Sequence, residues 1–184
     1  MDEIRLVPSD PAWPRLFDEE AARLRAIIPA DLLVALDHIG STAVPGLPAK
    51  PVIDIQATVT DLEAARARLV APLEAAGYAF RAENPDTDRL FFVKGLPPSA
   101  PHRTHHLHIM EDGPGALRHI AFRNHLRDHP AEAAAYAALK QDLARRFRDD
   151  REAYTAAKGD FIATVLDRAA AEGHDEEAPG ERPS

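Results

Sequence analysis

A glycine–serine turn, a lysine and an aspartate occur close together in this chain of 184 residues. Gly40-Ser41-Thr42 follows one apolar run, and Lys50 precedes a second apolar run that contains Asp54. A glycine lets the backbone approach a ligand closely, and a serine offers a hydroxyl and an N–H group to an anion. An aspartate within an apolar strand is costly unless it has a partner or a metal. The spacing predicts a site for a phosphorylated ligand and a divalent cation.

The segment 102–108 is a second candidate, because four of its seven residues are histidines. In a strand, His106 and His108 point to the same face, where two imidazoles can bind one metal ion or move protons at a phosphate. If this strand neighbours the strand of Asp54, the three side chains form an Asp/His/His cluster. The alternative is that the histidines only bond loop carbonyls and that Asp54 forms a buried ion pair.

Basic side chains further along the chain are candidates to contact phosphate. Arg89 opens the run Leu-Phe-Phe-Val, and Arg123 follows His119 by four residues on a predicted helix. The spacing Tyr-x-x-x-Lys occurs twice, as Tyr136 with Lys140 and as Tyr154 with Lys158. On a helix this spacing places the ring and the ammonium group on the same face. The alternative is that these lysines lie on amphipathic edges and cover apolar surface with their stems.

Apolar periodicity and turn residues predict the elements that position these side chains. Strands are predicted over 32–39, 52–59, 78–80, 89–94 and 104–110. Asp10 is predicted to cap a first helix, with Pro11 in its first turn and Pro29 as its stop. Asp61 is predicted to cap a helix to about residue 76 that Pro72 kinks or splits and that Gly77 ends. Beyond residue 115, apolar residues mark three helices, at 117–126, 136–147 and 154–166.

This order of elements predicts an α+β fold, with a mixed sheet followed by a helical C-terminal half. Residues 1–171 are predicted to form one domain. Residues 172–184 are predicted to be a disordered acidic tail, because they contain five acids and one base and so carry half of the net charge of −8.

Composition limits the function classes. The absence of cysteine excludes disulfides and thiolate chemistry. The mildly acidic body argues against binding of extended nucleic acid. No apolar run is long enough to span a bilayer and no signal pattern begins the chain, so we expect a cytoplasmic protein without a membrane partner. The sequence leaves the oligomeric state open.

The chain resembles the GrpB family, part of the nucleotidyltransferase superfamily. The resemblance covers nearly the whole chain, through the blocks 7–13, 38–46, 50–55, 104–108, 122–126, 136–140 and 154–162. It implies a nucleotidyltransferase-like fold, a mixed β-sheet flanked by helices with a helical C-terminal half. The superfamily has Gly-Ser on a turn, two strand carboxylates separated by one residue, and a third carboxylate on a later strand. These acids hold two divalent cations that bridge the nucleotide phosphates.

Carried over residue by residue, the resemblance matches Gly40 and Ser41 to the turn and Asp54 to the first carboxylate. The second position holds the neutral Gln56, and the third falls on His106 or His108. The resemblance therefore implies that Asp54, His106 and His108 are catalytic and bind the metal. An arginine from Arg89, Arg103 or Arg123 would neutralise charge that develops in phosphoryl transfer, and Arg89 is taken as the further catalytic residue. Mg²⁺ prefers oxygen ligands and imidazoles favour zinc or manganese, so the divalent metal is Mg, Mn or Zn.

The predicted function is a nucleotidyltransferase-like protein that binds a nucleoside triphosphate and a divalent metal. It would transfer a nucleotidyl group to a small-molecule acceptor. The residues expected to contact the nucleotide are Gly40, Ser41, Thr42, Lys50, Arg123, Lys140 and Lys158. Two alternatives stay open. The neutral Gln56 favours a catalytically degenerate module that binds a nucleotide or metabolite, and the histidine strand favours a phosphoesterase.

Overall fold

The fold is a five-stranded mixed sheet with helices on both faces. The computed structural model of the chain describes residues 4–97, 100 and 102–173. The strands are β1 (Leu33–Ile39), β2 (Ile53–Val59), β3 (Tyr78–Phe80), β4 (Arg89–Lys94) and β5 (His105–Glu111). The helices are α1 (Trp13–Ile27), α2 (Leu62–Ala75), α3 (Pro114–Asp128), α4 (Pro130–Arg146), α5 (Arg151–Ala156) and α6 (Gly159–Ala171).

The strand order across the sheet is β1-β2-β5-β4-β3. β2 and β5 are parallel, and the other neighbouring pairs are antiparallel. Asp54 lies opposite His106 and Gln56 opposite His108 in the parallel pair. Because side chains alternate along a strand, these four polar residues lie on one face of the sheet.

The opposite face of the sheet is apolar and forms the main core with α1 and α2. Its two central strands contribute Ile53, Ile55, Ala57, Val59, Leu107 and Ile109. Trp13 and Leu24 from α1 and Leu69 and Leu73 from α2 complete this core. A smaller core joins α3, α4 and α6 beyond the polar face, through Leu126, Tyr136 and Val165. The polar face is therefore enclosed between two packed layers.

The structure confirms the α+β fold class and places all five strands within one residue of their predicted bounds. Asp61 caps α2, because its Oδ1 accepts a 2.7 Å hydrogen bond from the Ala64 N–H group. Gly77 follows the end of α2 with φ of 87°, a value that suits glycine. None of the helices within the described residues is long and apolar enough to cross a membrane.

Three predicted helix details were wrong. The first helix begins at Trp13, so Asp10 instead accepts from the Ala12 N–H in the turn before it, at 2.8 Å. α2 runs unbroken through Pro72, so it is not split there, and a kink at Pro72 stays a prediction. The last predicted helix is two, α5 and α6, which meet at Ala157 and Lys158 just before Gly159. The predicted tail stays a prediction, and its residues 174–184 lie outside the described ones.

Candidate functional site

A cavity of about 750 Å³ lies between the polar face of the sheet and the C-terminal helices. Ten of the predicted site residues line it. They are Gly40, Ser41, Thr42, Lys50, Asp54, Arg89, His106, His108, Lys140 and Lys158. Arg123 is not among the lining residues. The fold thus gathers residues from distant segments of the chain into one space.

Gly40 allows the turn after β1 to lie directly against Asp54. Its φ is 69°, in the region that favours glycine, and a Cβ atom there would lie 2.6 Å from Asp54 Oδ2. The close approach predicted for Gly40 is therefore an approach to a side chain of the protein itself. Ser41 and Thr42 follow in a single 3₁₀ turn.

Asp54 is held by the neighbouring strand. His106 Nδ1 lies 2.9 Å from Asp54 Oδ1, and the ionised carboxylate accepts the hydrogen bond. Burial raises the pKa of Asp54, but the hydrogen bond from His106, the charge of Lys50 and the charges that His106 and His108 carry when protonated together outweigh it and lower the pKa to about 2. The aspartate is therefore an anion at neutral pH and faces cations from other parts of the fold.

Two further histidines at the cavity are neutral at pH 7. Burial lowers the pKa of His108 to about 3 and that of His119 to about 4, with further lowering from Arg89. Their ring centroids are 5.7 Å apart. Phe91, on β4, lies beside His108, and their ring centroids are 4.9 Å apart. Neutral imidazoles can accept a hydrogen bond or ligate a metal.

Gln56 is the residue that the resemblance matches to the second acid, and its amide is hydrogen-bonded within the protein on both sides. Its Nε2 donates to the Ala116 carbonyl at 2.8 Å and lies 3.3 Å from Thr58 Oγ1. Its Oε1 accepts a hydrogen bond from His119 Nδ1 at 2.8 Å. The side chain is completely buried. Gln56 therefore orients His119 and leaves the Nε2 atom of that imidazole as an acceptor.

The predicted metal ligands are adjacent but do not form a ready-made three-ligand site. Among the described residues, Asp54, His106 and His108 do not bring three ligand atoms within 4.8 Å of one another. Asp54 and His106 are hydrogen-bonded to each other instead. The donor atom that fits a hard cation is the Asp54 carboxylate, and Mg²⁺ is commonly held by one or two carboxylates together with substrate phosphates.

Three lysines from separate segments of the chain line the same cavity. Lys140 is 2% exposed, and its Nζ donates to Ser41 Oγ at 2.8 Å and to the Pro48 carbonyl at 2.6 Å. Its Nζ lies 4.9 Å from the ring centroid of Tyr136. Lys158 and Lys50 lie 4.5 Å and 5.3 Å from the ring centroid of Tyr154. In each Tyr-x-x-x-Lys pair the ring and the ammonium group thus lie together. In the second pair Tyr154 belongs to α5, and Lys158 lies between α5 and α6.

Burial lowers the pKa of Lys140 to about 7, and the positive charges of Lys158 and Lys50 lower it further. Asp54 acts in the opposite direction. A buried ammonium beside two others is unfavourable unless an anion joins them. The lysine group is therefore suited to an anionic ligand.

Three other predicted residues have their side chains engaged within the protein. Arg123 is buried behind β1, where its Nη1 donates to the His38 carbonyl at 2.9 Å and lies 3.6 Å from Asp37 Oδ1. It is placed away from the cavity because its side chain leaves α3 towards β1. Thr42 lines the cavity, but its hydroxyl bonds His38 Nε2 at 2.9 Å. Arg89 lines the cavity and contacts Asp86.

Sequence reasoning did not select His119, Tyr136 or Tyr154 as site residues. His119 was considered only as the helical neighbour of Arg123, and its link to Gln56 crosses 63 residues of sequence. The two tyrosines were visible only through their spacing to lysine. No local pattern indicates which helical residues face a cavity.

The five-stranded mixed sheet flanked by helices defines an α+β protein, as the resemblance to nucleotidyltransferase-like proteins implies. The chain belongs to the GrpB family, because the family model described as GrpB protein matches residues 3–168. The crystal structure of conserved protein GrpB from Enterococcus faecalis has a similar fold, with a TM-score of 0.81 and 36% identity. The match covers 92% of this chain and 99% of that one.

Curated relatives share the same region. A UPF0157 protein of Pseudomonas aeruginosa is 49% identical over 170 residues, covering 92% of this chain and 69% of that protein. A protein of Mycolicibacterium paratuberculosis named dephospho-CoA kinase is 37% identical over 189 residues. This match covers 90% of the present chain but 46% of that protein.

The contact between Gly40 and Asp54 predicts an unequal effect of two similar substitutions. Gly40 (φ 69°, ψ −168°) and Gly46 (φ 76°) both have positive φ, so alanine at either position costs about 1–3 kcal/mol of unfolding free energy through the backbone alone. At Gly46 a Cβ atom meets nothing within 4 Å, whereas at Gly40 it meets Asp54. Gly40→Ala is expected to lose about 1–3 kcal/mol more than Gly46→Ala in urea unfolding, through overpacking. Equal losses would contradict the contact.

The lowered pKa of Lys140 predicts a pH dependence of stability. Between pH 7 and the ordinary lysine value of 10.5, the unfolded chain holds a proton that the folded protein has released, so stability rises with pH. Lys140→Met is expected to remove this rise, which is at most about 1.4 kcal/mol per pH unit. Urea unfolding at pH 7, 8 and 9 measures it. Leu139→Met on the same helix is the control, and parallel curves for Lys140→Met and wild type would refute the prediction.

Proposed function

We propose that this protein binds a nucleoside triphosphate with its divalent cation in the cavity and transfers a nucleotidyl group to a small-molecule acceptor. The observation that carries the proposal is the convergence of Lys50, Lys140 and Lys158 on a cavity that also contains the ionised Asp54. Three cations and one anion that line the same cavity match a ligand that is a polyanion carrying a metal ion.

The triphosphate is assigned to the three lysines that line the cavity, Lys50, Lys140 and Lys158. Lys140 already donates to Ser41 Oγ, so the serine hydroxyl and the ammonium can bind the same phosphate oxygen. A bound phosphate would restore the proton of Lys140 and offset the repulsion among the three ammonium groups. Arg89 lies at the cavity edge on β4, where its guanidinium can neutralise charge that develops on the phosphates.

Asp54 is assigned to the Mg²⁺ ion of the metal–nucleotide substrate, and His106 fixes the orientation of its carboxylate. The cation, when bound, polarises the phosphate oxygens and neutralises their charge. In the transfer, a hydroxyl oxygen of the acceptor bonds to the α-phosphorus, the bond to the β-phosphate oxygen breaks, and pyrophosphate leaves. The hydroxyl proton passes to water or to a neutral imidazole. His119, which is hydrogen-bonded to Gln56, is the candidate imidazole.

The acceptor is the least defined part of this function. One relative is named dephospho-CoA kinase, and the present chain matches about half of its length. That name makes dephospho-CoA and CoA reasonable members of a ligand panel. Other hydroxyl-bearing metabolites belong in the same panel.

Two observations favour other functions. Gln56 is committed to internal hydrogen bonds, so the second acid of a two-metal site is missing, which favours a module that binds nucleotide without transfer. His106, His108 and His119 lie around one cavity, which favours a phosphoesterase that hydrolyses a bound phosphate ester. The products formed with and without an acceptor distinguish nucleotidyl transfer, nucleotide binding without transfer, and hydrolysis of a phosphate ester.

Calorimetric titration with ATP, GTP, CTP and UTP tests binding, each with Mg²⁺, Mn²⁺ or Zn²⁺. Lys140→Met is expected to weaken nucleotide binding about 10- to 100-fold, because a charged hydrogen bond contributes about 1.5–3 kcal/mol. Arg145→Met on the same helix is the control, since it removes a charge from a side chain that is 77% exposed. Asp54→Asn is expected to abolish the part of the affinity that depends on metal. Equal affinities in all variants would exclude the proposed site.

Turnover is then followed with the preferred nucleotide labelled at the α-phosphate. Pyrophosphate release that requires an acceptor and disappears in Asp54→Asn supports transfer. Release of phosphate or nucleoside monophosphate without an acceptor identifies a phosphoesterase. Tight binding with neither product across the acceptor panel identifies a binding module.

A further inference from the structure

A second cluster of metal-ligating side chains lies away from the cavity, where α3, α4 and α6 meet. His125 belongs to α3, His129 joins α3 to α4, and Glu172 is the cap residue after α6. The two imidazoles are four residues apart and stack with centroids 4.0 Å apart. His125 is completely buried. None of the three residues lines the cavity.

The cluster has the dimensions of a metal site. Each of the three residues offers one ligand atom, and these three atoms lie within 4.8 Å of one another. His125 Nδ1 is 3.2 Å from Glu172 Oε2, and His129 Nε2 is 3.4 Å from Glu172 Oε1. Ligand atoms around a tetrahedral zinc ion, with bonds of about 2.05 Å, are about 3.3 Å apart. These two histidine–glutamate distances are thus near the spacing that zinc requires, and the nearly parallel imidazoles must turn for both nitrogens to point at one ion.

The outer ring nitrogens of both histidines face acceptor oxygens. His129 Nδ1 donates to the His125 carbonyl at 2.9 Å. His125 Nε2 is 3.2 Å from Glu132 Oε2, and Arg168 holds the other oxygen of Glu132 at 2.8 Å. A metal-binding histidine generally donates its second N–H to a carboxylate or a carbonyl, which fixes the tautomer and orients the ring. His125 and His129 therefore direct Nδ1 and Nε2, respectively, towards Glu172.

We propose that His125, His129 and Glu172 bind one Zn²⁺ ion, with Glu132 and Arg168 as the supporting shell. Two imidazoles and a carboxylate are a zinc ligand set that leaves a fourth position for water. The ion would join the end of α6 to the junction of α3 and α4. Glu172 lies beyond residue 168, where the family match ends. The site is independent of the proposed nucleotide function.

The test is a competition titration of the tag-free, chelator-treated full chain with Zn²⁺ and a chromophoric chelator. The wild type is expected to bind one zinc ion per chain at the cluster. His129→Ala and Glu172→Gln, at partly exposed positions, are each expected to weaken this binding about 100-fold. Glu132→Gln is expected to weaken it about 10-fold by loosening His125. Far-UV circular dichroism verifies that each variant is folded.

Two controls decide where the zinc ion lies. His102→Ala removes an exposed histidine and is expected to leave the affinity unchanged. His106→Ala removes a histidine from the cavity and is expected to leave this site intact, so a loss in His106→Ala with no loss in His129→Ala would overturn the proposal. Unchanged affinity in both His129→Ala and Glu172→Gln, or absence of zinc binding by the wild type, would also overturn it and leave the cluster as an ion-paired contact. Visible absorption of the Co²⁺ form, lost in His129→Ala, would support tetrahedral ligation.

Discussion

The parallel pairing of β2 with β5 is the constraint on which the cavity depends. It places Asp54 beside His106 and Gln56 beside His108 on one face, while Ile55 and Leu107 enter the core on the other. A shift of one strand by a single residue would exchange the two faces and bury the aspartate among apolar side chains. The apolar face therefore fixes the register that the polar face needs.

The sheet and the segments packed on its polar face contribute different charges to the cavity. The sheet supplies the ionised Asp54 and the neutral His108, and the loop before β2 and the C-terminal helices supply the three lysines. Hydrogen bonds to Ser41 and Pro48 only partly offset the burial of Lys140, whose pKa stays low. Perturbed groups gathered in one cleft are typical of functional sites. The fold accepts this unfavourable arrangement next to a well-packed core.

The sequence predicts the strands well because apolar alternation and turn residues are local signals, as in β2 and β5. The turn at Gly40 and the strand position of Asp54 are local too, so this part of the site was predictable. Arg123 was misplaced because the direction of a helical side chain depends on how α3 packs. The role of Gln56 and the meeting of His125 with Glu172 arise from contacts between distant segments, which one sequence without packing does not reveal. The break between α5 and α6 was missed because Gly159 weakens a helix without always ending it.

The environment of Lys140 also has a consequence for its chemical reactivity. With a pKa of about 7, a large fraction of this amine is uncharged at neutral pH, whereas an ordinary lysine is almost fully protonated. An uncharged amine is a nucleophile, and desolvation beside other cations is one way in which lysines become reactive. Lys140 opens onto the cavity, so an acylating reagent small enough to enter would modify it selectively. The rate of labelling would report directly on whether a ligand occupies the cavity beside Lys140.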